Sequence, residues 1–169
     1  RLLRWRCGLV EPHLVQGERV LDLGAGTGWV AKRLTEKGWD VSLADVLDCN
    51  ETDLPLATYD GKRLPYRDKE FDTTLLVFVL HHALNQEEVL REAVRVTRRR
   101  LIIVEDTPRN LAERLIERLW DTVLSIEHGM FAPHSFRTVA GWGGLFHGLG
   151  LRLVSQEVLR PSLPFYYTK

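Results

Sequence analysis

An acidic residue and three glycines form the stretch of this sequence that is best suited to bind a ligand. Asp22 lies in the apolar segment Val20–Leu23, which runs directly into Gly-Ala-Gly-Thr-Gly at positions 24–28. Glycine tolerates a positive φ and lets a ligand approach the main chain closely. The first N–H groups of a following helix lack intrahelical partners and can face that ligand. The stretch therefore predicts a site for a polar ligand, with the candidate residues Asp22, Leu23, Gly24, Ala25, Gly26, Thr27 and Gly28.

Two classes of ligand and one structural alternative fit such a turn. A dinucleotide fingerprint has the spacing G-x-G-x-x-G, and its third glycine allows a helix to pack closely on a strand. Trp29 occupies that third position, which argues against NAD. The observed spacing G-x-G-x-G, with an acid two residues before the first glycine, resembles motif I of the class I S-adenosylmethionine (SAM)-dependent methyltransferases. A tight strand–helix turn that binds nothing is the structural alternative.

Asp45 is the next candidate, at the carboxyl end of the predicted strand 41–44. It follows the glycine turn by about 20 residues, where nucleotide-binding sheets carry an acid that accepts hydrogen bonds from ribose hydroxyls. The methyltransferase resemblance implies the same role toward the ribose of SAM, and adds Val46 to the cofactor-binding residues. An exposed acid at a strand end is the alternative. The segment 46–53 is too short and polar for the helix usual in this family, which predicts a loop or one helical turn.

A second acid, Asp60, opens a pattern that continues with Leu64-Pro65 and Phe71-Asp72. An acid, a Leu-Pro-aromatic triplet and a Phe-Asp pair in this order resemble the same family. The resemblance implies that Asp60 accepts a hydrogen bond from the adenine amino group of SAM, with Gly61 beside it. A turn is the structural alternative, and the two roles are compatible, because Asp-Gly is a common turn dipeptide.

Two adjacent histidines, His81 and His82, follow the apolar run 73–80, which predicts a central parallel strand covered on both faces. This arrangement resembles the methyltransferases of ubiquinone and menaquinone biosynthesis and their small-molecule relatives. The resemblance implies that Val77 and Phe78 approach the methionine end of SAM. Either histidine is a candidate general base, because imidazole titrates near neutral pH. The alternative is that one histidine packs beneath the loop while the other faces water. No third ligand stands near them, so no metal site is predicted.

The elements that must position these residues alternate between helix and strand. We predict helices at 1–16 and 29–37, strands at 19–23, 41–44, 54–59 and 73–80, and a helix capped by Asn85. The arginines at 98–100 are predicted to lie at the C-terminal end of that helix, where cations suit the helix dipole, as a solvated cap. Binding of an anion by these arginines is the alternative. A fifth strand is predicted at 101–106 and a long apolar helix from Thr107-Pro108 to about 124. We predict a further helix at 136–148 and two last strands at 151–159 and 165–168.

This order predicts one α/β domain over residues 1–169, a doubly wound, seven-stranded, Rossmann-like sheet that ends in a C-terminal antiparallel hairpin. Ligands of such sheets bind at the carboxyl ends of the strands, where the glycine turn, both acids and the histidines all map. In the family, segments after the fourth and fifth strands supply much of the acceptor pocket. The resulting candidates for the acceptor wall are Glu127, His128, Met130, Phe131, His134 and Phe136, and a plain helix–loop with core aromatics is equally compatible.

The composition of the chain limits the kinds of molecule and compartment that we predict for this protein. The 169 residues carry equal numbers of acidic and basic side chains, 23 of each, so there is no basic excess for nucleic acid. The longest apolar run, 75–80, is too short to span a membrane. Cys7 and Cys49 match no metal or redox spacing, which predicts free thiols and a cytoplasmic protein. The apolar face of 111–124 suits packing on the sheet or pairing in a homodimer.

The predicted function is methyl transfer from SAM to a small-molecule acceptor, with S-adenosylhomocysteine as the product. The chain lacks the Asn/Asp-Pro-Pro-Tyr motif of methyltransferases that modify amino groups of nucleic acids or glutamine, which further disfavours a nucleic-acid acceptor. A non-catalytic SAM-binding scaffold or subunit is the alternative. The short segment 46–53, and arginines where the family has Pro-Gly-Gly, leave it open. A dehydrogenase is a weaker third hypothesis, which Trp29 opposes.

Overall fold

Five parallel strands form one sheet in the computed structural model, which describes residues 2–116, 118–119 and 135–159. The spatial order is β3-β2-β1-β4-β5, so the chain starts at the centre and extends to either side. Each neighbouring pair is parallel. The strands are β1 (Arg19–Leu23), β2 (Asp40–Asp45), β3 (Leu56–Thr58), β4 (Phe71–Val77) and β5 (Thr97–Val104).

Helices connect and cover these strands. The assigned helices are α1 (Leu2–Val10), α2 (Trp29–Glu36), α3 (Gln86–Val96) and α4 (Val139–Gly148), with 3-10 turns at Glu11–His13 and Leu80–His82. Residues 111–116 and 118–119 are also helical. As predicted, Asn85 caps α3, its Oδ1 accepting the Glu88 N–H at 3.3 Å. No helix in the described part of the chain is both long and apolar enough to cross a membrane.

The core has two apolar layers, one on each face of the sheet. Leu21 and Leu76 belong to the layer that includes side chains of α3 and α4, such as Leu90 and Trp142. Their strand neighbours Val20 and Leu75 belong to the other layer, with Val10 of α1 and Leu34 of α2. Successive strand residues therefore face opposite helical layers, as the period of two requires. The predicted α/β arrangement, with a parallel sheet covered on both faces, is confirmed.

The strand register brings the carboxyl ends of the inner strands to one edge. Leu23 at the end of β1 lies opposite Ala44 of β2, and Asp22 lies opposite Leu75 of β4. On the other side of β2, Asp45 lies opposite Thr58 of β3. The glycine turn after β1, Asp45 and the residues that follow β4 therefore share one edge of the sheet, as predicted.

The predicted strand at 151–159 is wrong, since the structure assigns no strand there. Its alternating apolar residues matched a strand, but a strand needs a ladder partner. In the structure Leu153 and Val154 are 57% and 83% exposed instead of packed on a sheet. The second arm of the predicted hairpin, 165–168, lies outside the described residues.

The three arginines at 98–100 lie on β5 and not at the end of α3, so the predicted solvated helix cap is wrong. α3 ends at Val96, and the Thr97 hydroxyl bonds both the Ala93 carbonyl and the Thr74 hydroxyl of β4. Strand pairing with β4 thus begins four residues earlier than predicted. The arginines are stabilised there by two acids at the amino edge of the sheet, through the pairs Arg98–Asp72, Arg99–Asp72, Arg99–Glu18 and Arg100–Glu18.

The predicted helix start at Thr107-Pro108 is also wrong. Helical structure begins at residue 111, and the Asn110 side chain accepts the backbone N–H of Glu113 at 2.9 Å. The side chain of Glu113 in turn accepts the backbone N–H of Arg109. Asn110 therefore caps this helix.

Candidate cofactor-binding site

The three glycines of the turn have positive φ for different reasons. Gly24 (φ 77°) lies against the end of β4, where a Cβ would meet the Val79 Cγ1 atom at 2.5 Å. Gly28 (φ 78°) lies against the loop 46–53, where a Cβ would collide with Asn50. Gly26 (φ 53°) has no atom within 4 Å of a Cβ position. Two of the glycines therefore permit close packing, whereas Gly26 leaves open space beside its backbone.

Asp45 is fixed beside this open space by backbone N–H groups. Its Oδ2 accepts the Gly26 N–H at 2.8 Å, and its Oδ1 accepts those of Val46 at 2.7 Å and Leu47 at 3.2 Å. The carboxylate thus joins the end of β2 to the glycine turn. A half-buried carboxylate held in this way is oriented in advance for ligand hydroxyls, because a carboxylate has further lone pairs that can accept.

Asp22 is a buried carboxyl group with an unused acceptor. Its side chain is 2% exposed, and Oδ2 accepts no hydrogen bond from the part of the chain that the structure describes. Burial, followed by the negative charge of Asp45, raises the pKa of Asp22 to about 7. A hydrogen bond from the Ala31 backbone and the positive charge of Arg6 act in the opposite direction. Because buried polar groups in folded proteins are rarely unsatisfied, this oxygen suits a donor supplied by a ligand.

Asp60 lies at the far side of the same edge and forms the turn that its sequence suggests. Its Oδ1 accepts the N–H groups of Lys62 at 2.9 Å and Arg63 at 3.0 Å, which lower the pKa of its exposed carboxyl. Gly61 (φ 79°) faces the loop after β2, where a Cβ would lie 3.5 Å from Val46 Cγ1. Val46 is half exposed. Asp60, Gly61 and Val46 thus border one another beside Asp45, and a contact with adenine stays a prediction.

The chain turns sharply after β4, at two residues predicted to approach the methionine end of SAM. Val77 is buried, and Phe78 has a φ of 59°, a left-handed conformation that is costly for a non-glycine residue. The Phe78 N–H bonds the Val104 carbonyl at 2.8 Å. Glu105, which follows β5, accepts the N–H groups of Val79 at 2.9 Å and Leu80 at 2.6 Å.

Glu105 also holds His81 and was not predicted as a site residue. Its Oε2 lies 2.6 Å from His81 Nδ1, and both side chains are 3% exposed. An acid directly after an apolar strand was the available signal, the same one that identified Asp45. The His81 ring also stacks on Phe136 at 5.0 Å. His81 therefore packs beneath the loop, which matches the structural alternative for one histidine.

His82 lies half buried beside His81, with their ring centroids 4.1 Å apart. A role for either histidine as a base stays a prediction. The described residues contain no group of three or more metal-ligating side chains. Of the candidate acceptor wall, only Phe136 is described, and it is buried. The other members, Glu127, His128, Met130, Phe131 and His134, lie outside the described residues.

The loop 46–53 contains no helix and is fastened to the start of α2. The Trp29 indole N–H donates to Glu51 at 2.8 Å, and Lys32 Nζ pairs with Asp53 at 2.6 Å. The backbone N–H of Glu51 also bonds the Thr27 carbonyl in the glycine turn. Trp29 stands at the position where a dinucleotide fingerprint has glycine. Its side chain contacts the loop 46–53.

Comparison with known proteins agrees with this geometry. Residues 21–104 match a methyltransferase domain family. The matched range runs from β1 to the end of β5 and therefore contains the glycine turn, Asp45, Asp60 and both histidines.

Several relatives are demethylmenaquinone methyltransferases. That of Mycobacterium tuberculosis is 38% identical over 102 residues, which cover 56% of this chain and 44% of the relative. That of Thermotoga maritima is 35% identical over 119 residues, which cover 63% of this chain and 52% of the relative. The chain thus spans about half the length of these relatives.

Solved structures show the same fold. A SAM-dependent methyltransferase from Methanosarcina mazei superposes with a TM-score of 0.64 at 17% identity, over 83% of this chain and 82% of that one. A SAM-dependent methyltransferase from Thermotoga maritima superposes with a TM-score of 0.66 at 18% identity, over 88% of this chain and 70% of that one. Residues 21–104, about half of the chain, thus belong to the methyltransferase domain family, and the chain has the fold of SAM-dependent methyltransferases.

Proposed function

We propose that this protein binds SAM at the carboxyl edge of its sheet and transfers the methyl group to a small-molecule acceptor. The observation that supports this most directly is the junction of Gly26 and Asp45. An acid at the end of β2 is held against an open backbone turn at the end of β1. This is where nucleotide-binding sheets receive a ribose.

Each part of the cofactor has candidate residues at this edge. Asp45 accepts hydrogen bonds from the ribose hydroxyls, and the turn Asp22–Gly28 lies beneath the ligand. Asp60 takes the adenine amino group, with Val46 and Gly61 along the base. Val77 and Phe78 border the methionine end. The orphaned oxygen of Asp22, the open space at Gly26 and the exposed surface of Val46 support a fit to a nucleoside with a charged tail.

The chain's contribution to the reaction is mainly to hold its reactants. SAM, when bound, supplies a methyl carbon made electrophilic by the adjacent sulfonium. The protein must orient an acceptor in line with that bond, and such positioning alone can supply much of the rate. A base is needed only for an acceptor that must lose a proton, and His82 or His81 would then serve. The relatives named demethylmenaquinone methyltransferase support a small-molecule acceptor.

A non-catalytic SAM-binding subunit is the second candidate. It is favoured by the burial of His81, which is engaged with Glu105 and Phe136. Cofactor binding without turnover on any acceptor would support this alternative. It would leave the cofactor assignment in place.

The test of the cofactor assignment is calorimetric titration with SAM, S-adenosylhomocysteine and NADH. We expect the two SAM ligands to bind and NADH not to bind. Asp45→Ala should weaken SAM binding by about 1–3 kcal/mol, the range for losing a charged hydrogen-bond partner. Asp48→Ala is the matched control, because Asp48 is an exposed acid in the same loop. An unchanged affinity of Asp45→Ala would show that this acid does not bind the ribose.

Wider features of the protein belong to the same proposal. They are a single domain over 1–169, a homodimer and a cytoplasmic location. The two free cysteines support a reducing compartment. Sedimentation of the purified protein would test the homodimer.

A further inference from the structure

A surface cavity of about 190 Å³ lies beside the first turn of α3, and none of the described residues that line it is assigned to the cofactor. Its lining includes Leu84, Leu145 and Arg137. Leu84 is 92% exposed, so an apolar side chain stands uncovered beside the cavity. A cavity that joins an apolar wall to a single cation suits a ligand with an apolar body and an acidic group.

The guanidinium of Arg137 is held by two buried side chains. Its Nε donates to the Gln86 Oε1 atom, and the group lies over the Trp142 ring, 5.7 Å from the centroid. Gln86 and Trp142 are 5% and 4% exposed. Gln86 is itself fixed, because its Nε2 donates to the carbonyls of Leu80 at 3.1 Å and Ser135 at 2.6 Å. Arg137 is therefore oriented from two sides, although it lies at the surface.

These contacts leave the two Nη groups of Arg137 available to a ligand. Among the residues that the structure describes, no acid pairs with Arg137, and its one side-chain hydrogen bond is the bond from Nε to Gln86. Glu87 lines the same cavity, but its Oε1 already accepts two hydrogen bonds from Arg91 of α3. Two free nitrogens on a planar fork match the two oxygens of a carboxylate.

The cavity lies close to the end of β4, where the methionine end of the cofactor is proposed. Val79 packs on Gly24 of the glycine turn, and Ala83, four residues later, lines the cavity. The intervening residues Leu80–His82 form a 3-10 turn. Such a turn rises about 2 Å per residue, so the four residues span roughly 8 Å. A small molecule in the cavity can therefore extend to the reacting end of the cofactor.

We propose that the methyl acceptor is a small carboxylic acid, and that Arg137 binds its carboxylate. Leu84 and Leu145 contact the apolar body of the acceptor, which directs its far end toward the end of β4. Gln86 is a positioning residue in this assignment, because it acts through Arg137. The assignment rests on the proposed methyl transfer and adds the chemical class of the acceptor to it.

The test uses benzoate and benzamide, two probes of similar size that differ in charge. S-Adenosylhomocysteine is added first in excess, so that the carboxylate probe cannot occupy the cofactor site. NMR titration of the full chain should show benzoate binding at least about fivefold more tightly than benzamide, because a carboxylate pairs more strongly with a guanidinium. Arg137→Gln should weaken benzoate binding by roughly 10-fold and benzamide binding by less than about threefold, because the bond to a neutral carbonyl is weaker.

Three further variants separate charge, shape and general effects. Arg152→Gln removes an exposed arginine that does not line the cavity, so it should leave the binding of both probes unchanged. Arg137→Lys keeps the charge but loses the planar fork, and should bind benzoate with an affinity between those of the parent and Arg137→Gln. Leu84→Ala shortens the apolar wall and should weaken both probes equally, because they share one ring. Retained binding of S-adenosylhomocysteine shows that each variant has folded.

The outcomes distinguish this assignment from the proposed function. If S-adenosylhomocysteine binds but benzoate binds no more tightly than benzamide, the acceptor assignment is wrong and the cofactor assignment stands. The same conclusion follows if Arg137→Gln weakens benzoate no more than Arg152→Gln does. If the parent does not bind S-adenosylhomocysteine, the proposed function is overturned, and the acceptor assignment with it. A selective loss of benzoate in Arg137→Gln supports the acceptor assignment.

Discussion

Single glycines at the carboxyl edge are required by the packing of the fold to different degrees. Gly24 is required by packing, because Val79 occupies the space of a side chain. Gly26 is not required in this way, and its N–H bonds Asp45. The sequence pattern predicted both as ligand-binding glycines. It could not separate them, because the neighbour that presses on Gly24 is 55 positions further along the chain.

A glycine comparison tests this difference. Gly24→Ala should destabilise the fold by the cost of a left-handed alanine, roughly 1–2 kcal/mol, plus roughly 1–3 kcal/mol for overpacking against Val79. Gly17→Ala is the matched control, because Gly17 (φ 83°) has a similar backbone but nothing within 4 Å of a Cβ. Urea unfolding of both variants measures the difference. Equal losses would show that Val79 moves aside without cost.

Asp22 makes a second prediction at this scale, on the pH dependence of stability. Its pKa is about 7 in the folded protein, raised first by burial and then by Asp45, with Arg6 opposing. An unfolded aspartate has a pKa of about 3.9, so folding takes up a proton between these values. The contribution of Asp22 to stability is therefore complete at low pH and falls as the pH rises through about 7.

Asp22→Asn removes this titration while keeping the shape of the side chain. Between about pH 5 and pH 8, the unfolding free energy of the parent should fall relative to the variant by roughly 2–3 kcal/mol. Urea unfolding at several pH values measures this change. A constant difference between parent and variant would mean that the buried carboxyl does not take up a proton on folding.

Among the elements, β5 and the loop after β4 depend on each other. β5 ends beside Glu105, whose carboxylate binds two N–H groups of that loop and the ring of His81. The loop's left-handed Phe78 is held by a further bond to Val104. β5 was predicted, but its start was placed at residue 101. Residues 97–100 instead pair with β4, and the acids that stabilise this pairing, Asp72 and Glu18, are distant in the sequence.

The prediction for these elements concerns Glu105→Gln. A glutamine has one accepting oxygen in place of two, so it cannot accept from the loop N–H groups and from His81 together. The variant should lose about 1–3 kcal/mol of unfolding free energy. Glu87→Gln is the control: its exposed pair with Arg91 on α3 should contribute less than about 0.5 kcal/mol. Equal effects in urea unfolding would show that Glu105 does not anchor the loop.

Across the whole molecule, the sequence was most informative where local patterns were strong. The strand–turn–helix unit, the acid after β2 and the central strand β4 were identified from spacing and apolar runs, and the structure places them as a parallel α/β sheet. In the described residues 151–159, beyond β5, apolar residues alternate but no strand is assigned. An alternating pattern of apolar residues indicates which side chains favour burial. Whether a neighbouring strand or helix is present to bury them depends on the rest of the chain.

The ion pairs of Arg98 and Arg100 with Asp72 and Glu18 lie at the amino edge of the sheet, opposite the glycine turn. The ion pairs that join the strands thus lie one strand length away from the acids of the candidate cofactor site. Because of this distance, we expect substitutions in one set of charges to leave the other set undisturbed. A substitution at the carboxyl edge need not disturb the ion pairs that join the strands, and those ion pairs can be strengthened without altering the candidate site.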